Sequence, residues 1–147
     1  MHFDTLWDKY PEYEPCSNEL ELPYFDNQCA IKMGVALNAS GFDLSDYGGE
    51  YCWHHSIKHR HILRVEELCK YLKVKLSDDT LIQRRKSVHN IIHAEDFIDE
   101  QGIVAFINFW GSGNQEDHID LFRHGDLRNG DLDYFERSEK VLFWRIG

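Results

Sequence analysis

Gly102-Ile103-Val104-Ala105-Phe106-Ile107-Asn108-Phe109-Trp110 is the stretch on which the fold turns. It is β-branched and aromatic, and the loop Gly111-Ser112-Gly113-Asn114-Gln115-Glu116-Asp117 ends it abruptly, so it reads as a buried strand. Downstream, His118-Ile119-Asp120-Leu121-Phe122 is a shorter strand and Val141-Leu142-Phe143-Trp144-Arg145-Ile146 a last one, with the turn-forming pairs His124-Gly125 and Asn129-Gly130 between them. Upstream the period is helical. Ala30, Met33, Ala36 and Leu37 recur at three- and four-residue spacing, with Asp26 or Asn27 as an N-cap and Gly41 just past the end, which predicts a helix over 29–38. Val65, Leu68, Cys69 and Leu72 make a second apolar stripe, preceded by a strand-like His61-Ile62-Leu63-Arg64, and a weaker helical pattern lies around Gln83 to Asn90. The first 25 residues predict a short helix from about Phe3 and then an irregular arm that holds all 3 prolines. Helices first and an antiparallel sheet afterwards is an α+β plan.

The 147 residues are 42% hydrophobic and 14% aromatic, enough for one self-sufficient core and unlike a disordered or low-complexity chain. No repeat or Gly/Ser-rich linker divides them, so a single domain over 1–147 is expected. With 16 basic and 26 acidic residues the formal charge is −10, which disfavours nucleic acid and anionic membranes. No apolar run approaches a bilayer span, and the N-terminus lacks the basic and apolar regions of a secretory signal, so a membrane span and the general secretory route are not expected. The cysteines Cys16, Cys29, Cys52 and Cys69 are irregularly spaced and imply no disulfide framework.

Cys29 opens the first long helix, where unpaired N–H groups and the helix dipole favour a thiolate, as a nucleophile requires. The competing reading is a buried structural thiol. His118 opens a strand after a glycine-containing loop, and its imidazole is the candidate base. Alternation puts His118, Asp120 and Phe122 on one face, with the polar pair expected to point away from the sheet's apolar side. Asp126, Asn129, Asp131 and Asp133 follow and supply candidates for a group that orients the ring.

Cys52-Trp53-His54-His55-Ser56-Ile57-Lys58-His59-Arg60-His61 gathers one thiol and four imidazoles. It lacks the paired frameworks of structural zinc sites and alternates with Lys58 and Arg60, so a solvated basic patch is the expectation, or a positive lining for an anionic substrate. No phosphate-binding glycine loop, dinucleotide fingerprint or G-x-S-x-G elbow is present.

Phe25-Asp26-Asn27-Gln28-Cys29-Ala30-Ile31-Lys32-Met33, continuing as Leu37-Asn38-Ala39-Ser40-Gly41-Phe42, resembles the nucleophile helix of the type VI secretion amidase effectors of the fourth family. Gly102-Ile103-Val104, the glycine-containing loop and His118-Ile119-Asp120-Leu121-Phe122 resemble that family's histidine strand, and Leu142-Phe143-Trp144-Arg145-Ile146 its closing strand. Leu63-Arg64-Val65-Glu66-Glu67-Leu68 through Tyr71-Leu72 fits its middle helix. The resemblance implies a papain-like, NlpC-type fold with the nucleophile helix packed on an antiparallel sheet. It also implies a cysteine peptidase that cuts peptidoglycan stem peptides between D-glutamate and meso-diaminopimelate, without cofactor or metal. Cys29 matches the nucleophile and His118 the base. The turn Phe122-Arg123-His124-Gly125 departs from the family's pattern and puts its acid near Gly130, so Asp131 is the expected third member, with Asn129 and Asp126 behind it. Such effectors are made in the cytoplasm, delivered by the type VI apparatus into a rival's periplasm and restrained in the producer by a cognate immunity protein. Two other readings stand beside this one: a non-catalytic acidic module that binds a basic partner, and a phage or housekeeping cell-wall amidase.

Overall fold

The computed structural model describes residues 1–77, 80–108 and 117–147. The chain divides into two compact units, Met1–Tyr71 and Leu72–Gly147.

In the first unit, α1 (Phe3–Lys9) buries Phe3 and Leu6 and packs against α2 (Cys29–Ala39). Eight of the eleven α2 residues are buried, including Lys32, so this helix is enclosed on nearly every side, as a central helix must be. Lys32 is compensated by Glu14 at 3.3 Å. The expected N-cap and stop are close to those observed: Gln28 holds the cap position, Asn27 Oδ1 accepts from the Cys29 N–H at 3.2 Å, and Gly41 follows the helix at φ +82. Residues 10–28 form the irregular arm, closed by one antiparallel bridge between Ser17 and Pro23. The stretch read as strand-like, His61 to Arg64, is reduced to one bridge, Tyr51 with Ile62, after a 3-10 turn at Ile57–His59. The helix α3 (Val65–Lys75) begins in this unit.

The second unit is a five-stranded antiparallel sheet in the order β1-β5-β2-β3-β4, made by β1 (Thr80–Arg84), β2 (Gln101–Ile107), β3 (His118–Arg123), β4 (Asp126–Leu127) and β5 (Lys140–Arg145). Where the sequence suggested a weak helix around Gln83 to Asn90, the structure has β1 and a turn. Its residues were hard to recognise because β1 is an edge strand, largely exposed, without the unbroken apolar run of a central one. The expected strand ends Phe109 and Trp110 and the loop residues 111–116 lie outside the described residues.

β2 and β5 are buried on both faces, and their register sets what shares a face. Val104, Phe106, Phe122, Val141 and Phe143 pack with Ile92, Phe97 and Phe135 into one cluster. The 3-10 turn Ala94–Phe97 and the short helix α4 (Tyr134–Arg137) contribute Phe97 and Phe135. A two-residue turn, His124-Gly125, both at positive φ, joins β3 to β4, as hairpin twist requires. Among the described residues no helix is long and apolar enough to cross a membrane.

Candidate active site

His118 and Asp120 are two residues apart on β3 and so point the same way. The register pairs them with Phe106 and Val104, which puts them on the aromatic face of the sheet. The expectation that they point away from the apolar side is therefore corrected: His118 is 8% exposed and Asp120 fully buried. Alternation identifies which residues share a face, but both faces of this strand are buried, so it could not identify an exposed one.

A buried carboxylate must be matched by donors, and Asp120 is. Its Oδ1 accepts from the N–H of Leu121 at 2.8 Å and of Asn129 at 3.0 Å. Its Oδ2 accepts from His118 Nε2 at 2.9 Å. The Asn129-Gly130 turn thus serves as a lid on the pair. A Cβ on Gly130 would stand 2.8 Å from Asp120 Oδ2 and 3.1 Å from His118 Nε2, so the backbone can pass this closely only without a side chain. Phe106 stacks on His118 with ring centroids 6.1 Å apart, and Tyr134 meets it edge-on at 5.3 Å. Burial, then the negative charges of Asp131, Asp133 and Asp120, hold the Tyr134 hydroxyl above its ordinary range, so it stays neutral beside the ring.

Chemically, this is an imidazole held in one orientation. With Nε2 donating to a carboxylate, the tautomer is fixed and Nδ1 is left as the basic nitrogen. The sequence reading did not give Asp120 this place. Asp131, the expected third member, lies in the turn before α4, exposed, with its Oδ1 accepting from the Asp133 N–H at 3.1 Å. Asn129 faces Asp120 through its backbone N–H, and Asp126 pairs in register with Arg123 in the β3–β4 hairpin. The i, i+2 spacing on a strand was the available signal for Asp120.

Cys29 is the first residue of α2 and 4% exposed. Its position is fixed from the preceding residue. The Gln28 amide, 3% exposed, accepts from the Cys16 N–H at 2.9 Å and donates to the Cys16 carbonyl at 2.9 Å and to Phe25 O at 3.1 Å. That clamp ties the N-terminal arm to the start of the helix. Beside it, Phe25, Asn27, Glu50, Trp53, Leu63 and Arg64 line a cleft of about 240 Å³. Arg64, one of the cations considered for an anionic substrate, is engaged by Glu50 at 2.9 Å.

The 52–61 stretch is not a uniformly solvated patch. His54 and His59 are exposed, but Cys52 and His61 turn inward and, with His55, meet Cys16 from the arm. One potential ligand atom from each of Cys16, Cys52, His55 and His61 lies within 4.8 Å of every other. The sequence could not disclose this set, because Cys16 stands 36 residues before Cys52.

Comparison with known proteins bears on the whole chain. The family model described as type VI secretion system amidase effector protein 4 matches residues 25–144. A search of curated protein sequences returns no match. The fold is shared with the effector Tae4 in the Tae4–Tai4 effector–immunity complex from Salmonella Typhimurium, at TM-score 0.74 and 20% identity over 99% of this chain and 98% of that one. It is shared also with the type VI effector–immunity complex Tae4–Tai4 from Enterobacter cloacae (TM-score 0.70, 17% identity, 99% and 98% covered) and with the type VI effector Tae4 from Enterobacter cloacae (TM-score 0.70, 19% identity, 99% and 96% covered). The expected α+β class of the papain-like kind is borne out. With the family model spanning most of the sequence, including α2 and the whole sheet but for its last residue, the chain belongs to the type VI secretion amidase effector 4 family.

Proposed function

We propose that this amidase effector, of a family directed at peptidoglycan, hydrolyses the amide between D-glutamate and meso-diaminopimelate in stem peptides by cysteine peptidase chemistry. Residues 1–147 act as one catalytic domain. Cys29 is the nucleophile, His118 the general base and acid, and Asp120 the residue that orients the ring. The supporting observation is the buried His118–Asp120 pair, within a region matched to an amidase family.

In this mechanism His118 Nδ1 takes the thiol proton and the Cys29 sulfur attacks the amide carbonyl carbon. The negative charge that develops on the carbonyl oxygen is received by N–H groups of the first turn of α2, which have no acceptor within the helix. The Cys29 N–H, which donates to Asn27 Oδ1, exchanges that side chain for the substrate oxygen. His118 then protonates the leaving amine and activates a water that releases the acyl group. Asp120 keeps Nε2–H committed throughout, so that only Nδ1 carries the shuttled proton.

The setting proposed with it is delivery by the type VI apparatus into a rival's periplasm, with a cognate immunity protein in the producer; the type VI family match and the Tae4–Tai4 complexes support this reading. The test is product analysis. Wild type, Cys29→Ala and His118→Ala are incubated with muropeptides from Gram-negative peptidoglycan, and the products identified by mass spectrometry. Fragments split between D-glutamate and diaminopimelate with wild type alone are expected. A different bond would correct the substrate, and intact stems with folded wild type would favour the acidic binding module.

A further inference from the structure

Four side chains in the first unit converge with no part in the proposed reaction. Cys16 Sγ lies 2.8 Å from Cys52 Sγ and 3.8 Å from His55 Nδ1, and Cys52 Sγ lies 3.4 Å from His55 Nδ1. The His61 ring centroid is 4.7 Å from that of His55. His61 is 6% exposed, and its Nδ1 is buried without a hydrogen-bond partner. An orphaned imidazole nitrogen in a protein interior is costly, and no polar group among the described residues pairs with it.

We propose that Cys16, Cys52, His55 and His61 bind a structural zinc ion. Two thiolates and two imidazoles are a donor set characteristic of structural zinc, and soft sulfur with imidazole selects zinc over calcium or magnesium. Tetrahedral coordination at about 2.3 Å to sulfur and about 2.0 Å to nitrogen sets sulfur–sulfur separations near 3.8 Å and sulfur–nitrogen separations near 3.5 Å. The two observed sulfur–nitrogen distances lie close to that, and the sulfurs need only part by about 1 Å to admit the ion.

Charge favours the same occupant. On binding, each thiol gives its proton to solvent, and a dication with two thiolates and two neutral imidazoles makes an uncharged buried centre. Such an ion would fix Cys16, whose N–H and carbonyl are both held by Gln28, and through that clamp the start of α2. The proposal does not depend on the amidase reading.

The test uses the full chain without a histidine tag, in wild type and in a Cys29→Ala background. After dialysis, elemental analysis should find about one zinc per chain in both. Cys16→Ser and Cys52→Ser should lower it to background, and the exposed neighbours His54→Gln and His59→Gln should leave it unchanged. Should the cysteine variants fail to fold, cobalt(II) added to metal-depleted wild type decides the matter through the charge-transfer and ligand-field bands of tetrahedral thiolate coordination. Three results would overturn the proposal: no metal and no cobalt–thiolate bands, metal lost with Cys29→Ala, or a Cys16–Cys52 disulfide in place of the ion.

Discussion

His118 and His61 are buried to nearly the same depth, 8% and 6% exposed, in opposite surroundings. His118 has a fully buried carboxylate on Nε2 and aromatic rings on its face and edge. His61 has an orphaned Nδ1, a second imidazole beside it and two thiols within reach. The first arrangement holds the ring in one tautomer and suits proton transfer. The second leaves a ring nitrogen beside two thiols and suits a bond to a metal. Burial alone therefore says little about a histidine's role, and its nearest partner says most of it.

The comparison breaks first at Asp120. Asp120→Asn should leave the fold in place but lower kcat by about 10²–10⁴-fold, because the amide can hold the ring in the wrong tautomer. Asp131→Asn should change kcat little, and the reverse ranking, measured on a muropeptide, would return the orienting role to Asp131. Exchanging the readouts is the next step. His118→Ala should abolish turnover in a protein that keeps its metal, although loss of the donor to buried Asp120 lowers its Tm, whereas His61→Ala should lose metal and leave the His118–Asp120 pair in place. Gly130→Ala should lower kcat by up to about 100-fold, since a displacement of the pair by even 1 Å misplaces the base, with binding of zinc unaffected. Gln28→Ala leaves the Cys16 amide unsatisfied and should cost about 1–3 kcal/mol by denaturant unfolding. The smallest effect is expected at an ordinary surface pair, Glu100 with Arg145 at 2.7 Å. Arg145 holds Glu100 below its usual carboxylate range, so the pair contributes above the unfolded pKa and is lost as pH falls through the folded one. Glu100→Gln should cost less than about 1 kcal/mol and move neither activity nor metal content.

What the sequence made legible follows the range of the interactions. α2, β2, β3 and β5 carry strong local periodicity and turn residues next to one another, and each was read to within a few residues. The edge strand β1 has Thr80 and Leu81 half-buried and its last three residues exposed, so it carries no apolar pattern of its own, and its end falls within the segment that reads as a weak helix. Cys29 and His118 stand in motifs that make them candidates, and the structure places the first at the start of α2 and the second on β3. Asp120 is visible as His118's neighbour on a face, but its hydrogen bond to the ring goes with a carboxylate sealed by the Asn129-Gly130 turn, which no local pattern announces. The Cys16 set lies further still beyond local reading, since the arm must fold back to bring its thiol to Cys52 and His61.

The central claim is that one thiol is activated by His118 while two others are reserved for a metal. Site-resolved alkylation of the folded protein by iodoacetamide, read by peptide mass spectrometry for all four cysteines, tests both halves at once. Cys29 should react fastest and slow sharply in His118→Ala, while Cys16 and Cys52 should stay protected until a chelator is added, with Cys69 inert throughout. A Cys29 that reacts no faster than Cys69, and does not respond to His118→Ala, would contradict the account.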